Sequence, residues 1–278
     1  MPLTRTADVL TAAATAGRGV GAFNVIHLET AEALVAAAEE TGLPVVLQVS
    51  ENCVTYHGAL DPLAMACLEL AHSSAADVAV HLDHAEDEDL ARAAVDLGLG
   101  SVMFDGSTLE YDRNVAATAR VVQYAHAAQV VVEAELGRIG GKDGAHAPGV
   151  RTDPAEAVRF VAETGVDSLA VAVGSSHAMT ERTATLDLEL IAALRDALDV
   201  PLVLHGSSGV PDDVLAAAVR AGMTKINVST QLNKHFTAAV RGYLDAHPDV
   251  VDSRKYVRAG RDAVTAEAAR LLRLFAGE

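Results

Sequence analysis

The chain has 278 residues, half of them hydrophobic, which suits one large domain with a sizeable core. Its formal charge of −17 leaves no basic stripe to neutralise the phosphates of a nucleic acid or to hold an anionic membrane surface. Two cysteines, Cys53 and Cys67, are too few for a disulfide framework, and there is neither an N-terminal leader pattern nor an apolar run of about 20 residues. A soluble, cytoplasmic protein with reduced thiols is expected.

In chain order, a short helix is predicted over 5–16, followed by eight β-like runs at 20–25, 44–50, 77–83, 101–105, 129–135, 168–174, 201–205 and 225–228. Between them lie Ala/Glu/Leu/Arg-rich stretches with helical spacing, such as 29–40, 87–97 and 211–221. Gly42, Gly98, Gly165 and Gly222 each close such a stretch just before the next strand. Alternating strands and helices imply right-handed βαβ units and a parallel sheet, and eight repeats close a barrel where six would suggest an open sheet. The expectation is therefore an α/β chain in which residues 1–278 form a single (β/α)8 TIM barrel, with a short N-terminal helix and a C-terminal helical extension over 254–275. The first strand's turn, Gly21 to Asn24, lacks a dinucleotide fingerprint. The Gly-rich stretch 137–151 after the fifth strand is a candidate lid.

Several strand ends carry chemistry: HLDH at 81–84, EAE at 133–135, GSSH at 174–177 and LHG at 204–206. A (β/α)8 barrel builds its active site from the ends of different strands in this way. Alternate strand residues share a face, so His81 and Asp83 point together into the barrel mouth, while His84 sits one step further, where strand gives way to loop. His84, His177 and His205 come from the third, sixth and seventh strands and can converge on one point, and three imidazoles with an open position are catalytic-zinc geometry. Asp83 is the best candidate for a general acid/base; its alternative role is to orient a histidine. His81 is left open, since it can hydrogen-bond beneath the site. Glu133 and Glu135 share a face, and each is either a further ligand or buried below the ion.

Barrel enzymes often hold a phosphate in the loops after strands seven and eight. Here those loops read His205-Gly206-Ser207-Ser208-Gly209 and Asn227-Val228-Ser229-Thr230. Glycines let the backbone approach a phosphate, hydroxyls donate to it, and a helix N-terminus adds positive potential. The same serines and threonine can also cap a helix, and the two roles are compatible.

Taken together, GAFNV (21–25), QVSE (48–51), HLDH (81–84), SVMFDGS (101–107), VEAELGRIGG (132–141), TDPAEAVRFVAETGVDSLAVAVG (152–174), LVLHGSSGVP (202–211) and KINVST (225–230) resemble the class II, metal-dependent ketose-bisphosphate aldolases over nearly the whole chain. The resemblance implies one Zn2+ ion per subunit on His84, His177 and His205, with Glu135 an occasional ligand, and Asp83 as catalytic acid/base. It implies that Ala178, Gly206, Ser207, Ser208, Asn227, Ser229 and Thr230 surround the phosphate of a dihydroxyacetone-phosphate half. Asn24 and Ser50 would meet substrate between the metal and the aldehyde. Arg258 is the best match for the arginine of the distal phosphate, which family members typically supply across a homodimer or homotetramer interface. A monovalent cation, Na+ or K+, near the phosphate is also usual.

The chain departs from the family at three places. Its second histidine lies in Gly174-Ser175-Ser176-His177-Ala178 rather than Gly-Thr-x-His-Gly. Asp143 occupies about the place of the lid glutamate that reprotonates the carbanion. Ser229 stands where fructose-type members carry Asp and tagatose-type members Ala. The expected reaction is reversible cleavage of fructose or tagatose 1,6-bisphosphate, or of another ketose phosphate, to dihydroxyacetone phosphate and an aldehyde such as glyceraldehyde 3-phosphate. Asp83 would take the C4 hydroxyl proton, zinc would supply Lewis-acid stabilisation of the enediolate, and Asp143 or water would protonate it. Of four lysines, Lys142, Lys225, Lys234 and Lys255, Lys225 reads as lying at the wrong end of its strand and only Lys142 as near the site, which argues against a Schiff-base mechanism. A metal-dependent hydrolase would favour a His-x-His pair on the first strand, which instead ends in Asn24. A non-catalytic sugar-phosphate sensor is opposed by the intact Asp83 and histidines.

Overall fold

The strand runs close on themselves. In a computed structural model, which describes residues 4–136, 151–176 and 179–278, eight parallel strands form a closed barrel in the order β1 to β8, and β8 returns to pair with β1. The strands are β1 (Val20–Asn24), β2 (Val45–Ser50), β3 (Val78–Ala85), β4 (Ser101–Phe104), β5 (Val131–Leu136), β6 (Ser168–Val171), β7 (Leu202–Leu204) and β8 (Met223–Val228). Helices α1 (Thr6–Ala16), α2 (Leu28–Thr41), α3 (Glu51–His57), α4 (Asp61–Ser73), α5 (Glu88–Leu97) and α6 (Tyr111–Ala127) belong to the first half. The second half carries α7 (Pro154–Thr164), α8 (Leu188–Ala197), α9 (Asp212–Ala221), α10 (Thr230–Ala246) and α11 (Ser253–Ala276). This is the (β/α)8 barrel expected, with its leading helix and C-terminal extension. Among the described residues no helix is long and apolar enough to cross a membrane.

Helix ends follow the punctuation read from sequence. Gly42, Gly98 and Gly165 take left-handed φ values of 66°, 93° and 73°, where a side chain would be strained. Asp87, Asp153 and Asp187 accept backbone N–H groups at the starts of α5, α7 and α8, and Pro154 occupies the first turn of α7.

Outward strand residues such as Phe23, Leu47, Leu82, Phe104 and Leu169 pack with α-helical alanines, valines and leucines in one buried cluster. Fully burying one such side chain contributes about 1.5–3 kcal/mol. Inside the barrel the core is layered. At the bottom, Val9, Leu10 and Ala13 of α1 pack on Val20, Ala22, Val46 and Ala79, so the leading helix closes that end. A second small apolar layer joins Met103, Ala170 and Val203. The remaining interior is polar: Gln48, His81, Ser101, Glu133 and Lys225 are all buried.

Candidate active site

The last inward positions of the strands meet at the opposite end from α1. A cavity of about 370 Å³ opens there, lined by Asn24, Ser50, Asp83, His84, Ser176, His205, Gly206, Ser207, Ser208, Asn227, Ser229 and Thr230, with Val25, Ile26, Asn52, Cys53 and Tyr56 on one wall.

Asp83 and His84 are consecutive, and strict alternation would send them to opposite faces of β3. The chain avoids this with a bulge. The β3–β4 register slips between Leu82 and Ala85, and His84 takes a left-handed backbone with φ 52°. Holding a non-glycine residue there costs about 1–2 kcal/mol. In return, the ring and the Asp83 carboxylate both face the cavity. The strand therefore continues through His84 to Ala85, where sequence reading ended it at Asp83.

His84 and His205 are each backed by a carboxylate. His84 Nδ1 lies 2.9 Å from Asp105 Oδ2 and 3.8 Å from Glu135 Oε2, and His205 Nε2 lies 2.9 Å from Glu133 Oε1. An ionised carboxylate only accepts hydrogen bonds, so it draws a proton onto the facing ring nitrogen. The other nitrogens, His84 Nε2 and His205 Nδ1, then face each other at 2.8 Å. Two nitrogen lone pairs this close require an electrophile, either a proton or a metal ion. His84 reflects that demand: burial alone would lower it, but the charge of Asp83, the Asp105 hydrogen bond and Glu135 outweigh burial and raise it to about 9.

Asp83 is buried and oriented from two sides. Asn24 Nδ2 donates to one oxygen at 3.0 Å and Asn227 Nδ2 to the other at 3.3 Å, while Gln48 Nε2 donates to Asn24 Oδ1 at 3.3 Å. Burial raises this carboxyl, but the positive potential of His84, His205 and Lys225, with the Asn24 hydrogen bond, holds it below the usual range. It is ionised at neutral pH, as a base must be. Asp83, His84 and His205 present ligand atoms within 4.8 Å of one another, and so do His84, Asp105 and Glu135. Imidazoles mixed with carboxylates suit a zinc-like divalent ion, so the residues fit the metal that the sequence implies.

The phosphate loops are also assembled. After β7, Gly206 turns with φ 69° into a single 3-10 turn over Ser207–Gly209. Ser208 Oγ accepts the backbone N–H of Gln231 at 3.1 Å, which ties this loop to the start of α10. Ser229 precedes α10 and its side chain makes no capping hydrogen bond. The 17-residue α10 thus directs its N-terminal amides and dipole at the cavity.

The cavity brings together most of the predicted residues: Asn24, Ser50, Asp83, His84, His205, Gly206, Ser207, Ser208, Asn227, Ser229 and Thr230. Glu135 is buried beside His84. His177, Ala178 and Asp143 lie outside the described residues, although Ser176, immediately before His177, lines the cavity. Arg258 is exposed on α11 and is not part of the cavity lining of its own chain. His81 sits below the site, with Nδ1 2.7 Å from Ser101 Oγ, and burial together with Lys225 keeps it neutral.

Lys225 is not at the wrong end of the barrel. Strand β8 begins at Met223, two residues earlier than the sequence suggested, so Lys225 is an inward residue in mid-strand. It is fully buried and its Nζ lies 2.9 Å from Glu133 Oε2. Asp105, which ends the fourth β-run and backs His84, and Asn52, Cys53 and Tyr56 on the cavity wall join the site from outside the residues expected from the sequence. The run SVMFDGS held a signal for Asp105: its carboxylate falls two residues after inward Met103.

Residues 4–278 match the family model described as fructose-bisphosphate aldolase class-II. The chain belongs to that family. It is 39% identical over 279 residues to the fructose-bisphosphate aldolase of Geobacillus stearothermophilus, covering 99% of this chain and 97% of the relative. The class-II aldolase barrel described here superposes on the YdjI aldolase from Escherichia coli with a TM-score of 0.87 at 30% identity, covering 98% of this chain and 97% of that one. A fructose-bisphosphate aldolase from Campylobacter jejuni shares the fold, with a TM-score of 0.80 at 20% identity over 99% and 95% of the two chains. The protein is accordingly an aldolase-type carbon–carbon lyase of carbohydrate metabolism.

Proposed function

We propose that this aldolase reversibly cleaves a phosphorylated ketose, fructose or tagatose 1,6-bisphosphate, to dihydroxyacetone phosphate and an aldehyde such as glyceraldehyde 3-phosphate. It would do so with one divalent ion, zinc, held by His84, His205 and His177, with Glu135 in reserve. The observation that carries the reading is the pair of carboxylate-backed imidazoles whose other ring nitrogens face each other beside an ionised Asp83.

The bound ion would supply Lewis-acid stabilisation of negative charge at the substrate C2 oxygen, worth several kcal/mol. The chain's own groups do the rest. Asp83, steadied by Asn24 and Asn227, accepts the C4 hydroxyl proton as the C3–C4 bond breaks. Gly206, Ser207, Ser208, Ser229, Thr230 and the α10 N-terminus form the cradle for the phosphate of the three-carbon half, so that binding energy there fixes C3 and C4 relative to Asp83. Ser50, two positions from Gln48 on β2, lines the same cavity and would meet the substrate between the metal and the aldehyde. A Schiff-base route through Lys225 is disfavoured, because its ammonium is buried in an ion pair with Glu133 and does not line the cavity. Asp143 as the acid that reprotonates the carbanion, Arg258 reaching a partner's distal phosphate, a monovalent cation at the phosphate, a dimeric or tetrameric assembly and a cytoplasmic location complete the reading.

The test is triose release from fructose and tagatose 1,6-bisphosphates and their monophosphates by chelator-stripped and zinc-restored enzyme. Cleavage that vanishes on stripping and returns with zinc is expected. Full activity after chelation sinks the metal-dependent reading, and equal rates on both epimers show that C4 is not discriminated.

A further inference from the structure

A fully buried lysine–glutamate pair inside the barrel needs an explanation, since such a pair contributes little to stability compared with apolar residues of the same volume. Lys225 Nζ lies 2.9 Å from Glu133 Oε2, and the other oxygen, Oε1, lies 2.9 Å from His205 Nε2. Lys225 is itself steadied from below. His81 Nε2 is 3.5 Å from Nζ, His81 Nδ1 is 2.7 Å from Ser101 Oγ, and Ser101 Oγ donates to Thr6 Oγ1 of α1 at 2.9 Å. The chain of contacts runs from the helix that plugs the barrel up to the ring of a candidate metal ligand.

The donor and acceptor inventory gives this chain a direction. An ammonium has three donors and no acceptor, so Lys225 can only donate to Oε2. Glu133 then offers only an acceptor to His205, which places the ring proton on Nε2. Asn227 Nδ2 also lies 3.1 Å from Nε2, but one of its two N–H groups goes to Asp83 Oδ1, and the Glu133 oxygen at 2.9 Å is the closer and charged partner of Nε2. The His205 Nδ1 lone pair is left facing His84 Nε2.

We propose that Lys225 and Glu133 are positioning residues for the metal: Lys225 holds the Glu133 carboxylate so that it fixes the Nε2–H tautomer of His205 and keeps the proton off Nδ1, the nitrogen that would bind the ion. This rests on the metal-dependent reading above, yet half of its test needs no metal.

The sharp variant is Glu133→Gln. Lys225 demands the amide oxygen, so the amide NH2 turns toward His205 Nε2 and selects the opposite tautomer, with a proton on Nδ1 where the ion should sit. The rescue is Glu133→Gln/Lys225→Met, in which the amide is free to turn its oxygen back to His205. A control, Glu133→Leu/Lys225→Met, keeps the volume and removes the acceptor. Two quantities are measured: zinc affinity by competition with a chromophoric chelator, and the His205 tautomer by side-chain 15N NMR of the chelated protein, assigned with His205→Asn.

Wild type is expected to show Nε2–H. Glu133→Gln should show Nδ1–H and zinc binding weakened roughly 10- to 100-fold, while the Gln/Met pair returns toward wild type on both readouts. If Glu133→Gln does not fold, the Gln/Met pair should still bind zinc roughly 10- to 100-fold more tightly than the Leu/Met pair. A wild-type tautomer and affinity in Glu133→Gln, or equal affinities in the two double variants, overturns the proposal. Failure of wild type itself to bind zinc would instead overturn the metal-dependent reading, and the tautomers would still decide the role of Glu133.

Discussion

Replacing Gly206 with alanine tests whether the loop after β7 is held as tightly as a phosphate cradle beside a metal site requires. Gly206 has φ 69°, and a Cβ there would lie 2.6 Å from Ser176 O, 2.7 Å from Ser176 C and 2.9 Å from Ser176 N. Ordinary contacts begin at about 3.4 Å, and the obstacle is backbone rather than a side chain that can swing away. The left-handed conformation costs about 1 kcal/mol for alanine, and relieving the overlap by moving backbone adds about 1–3 kcal/mol. At roughly 2–4 °C per kcal/mol for a chain of this size, the thermal midpoint should fall by roughly 5–15 °C. The displacement also falls on the residue before His177 and on the loop that carries Ser207 and Ser208. Triose release should therefore show a raised KM for the phosphorylated substrate together with a lowered kcat. Calorimetry and steady-state kinetics on the same preparation read both. A variant with an unchanged midpoint and an unchanged KM would refute the close approach of the β6 and β7 loops on which this reasoning stands.

Asp83→Asn keeps the shape of the side chain but removes the base, so kcat should fall by roughly 10²- to 10⁴-fold; its NH2 also has to face Asn24 Nδ2 or Asn227 Nδ2, donor against donor, so the thermal midpoint should drop by a few degrees as well, and a loss in kcat below about threefold would assign the proton transfer elsewhere. In chelated protein His84 is raised from 6.5 to about 9, so the stability it contributes is complete below about 6.5 and lost as pH rises through about 9. That interval is worth roughly 3 kcal/mol, and zinc-loaded protein should lack this fall because the ion replaces the proton; identical pH profiles with and without chelator would contradict it. Burial pushes the Cys67 thiol up to about 12, so alkylation by iodoacetamide at pH 8 should spare Cys67 in the folded protein and label it only in denaturant, as peptide mass mapping would reveal.

Much of this architecture was readable from the chain because local and global signals agree. Strand runs rich in Val, Leu and Ala alternate with helices that end at Gly42, Gly98 and Gly165, and barrel closure follows from eight such units. The site was legible where a residue's position along its strand decides its direction, as for Asp83, His205 and Asn227. Where the backbone departs from that rule, the sequence could name a residue such as His84 without showing how it reaches the cavity. His84 should point away from Asp83, and only the bulge with its left-handed backbone brings both to the cavity. Lys225 was misplaced because Met223 and Thr224 extend β8 backward, a boundary that hydrophobic pattern alone does not mark. Asp105 and Glu133 needed three-dimensional distances, since a carboxylate that backs a histidine has no sequence spacing of its own. Glu135 and Glu133 share a strand face, yet they serve different rings: one lies by His84 and the other by His205.

The most direct test of the central claim is to locate the ion. Crystals of zinc-loaded protein, measured on both sides of the zinc absorption edge, should show one anomalous peak about 2.0–2.1 Å from His84 Nε2 and from His205 Nδ1, with Asp83 facing it across the substrate cavity. A peak bound instead through His205 Nε2, or no peak between the two rings while zinc sits elsewhere on the chain, would contradict the account.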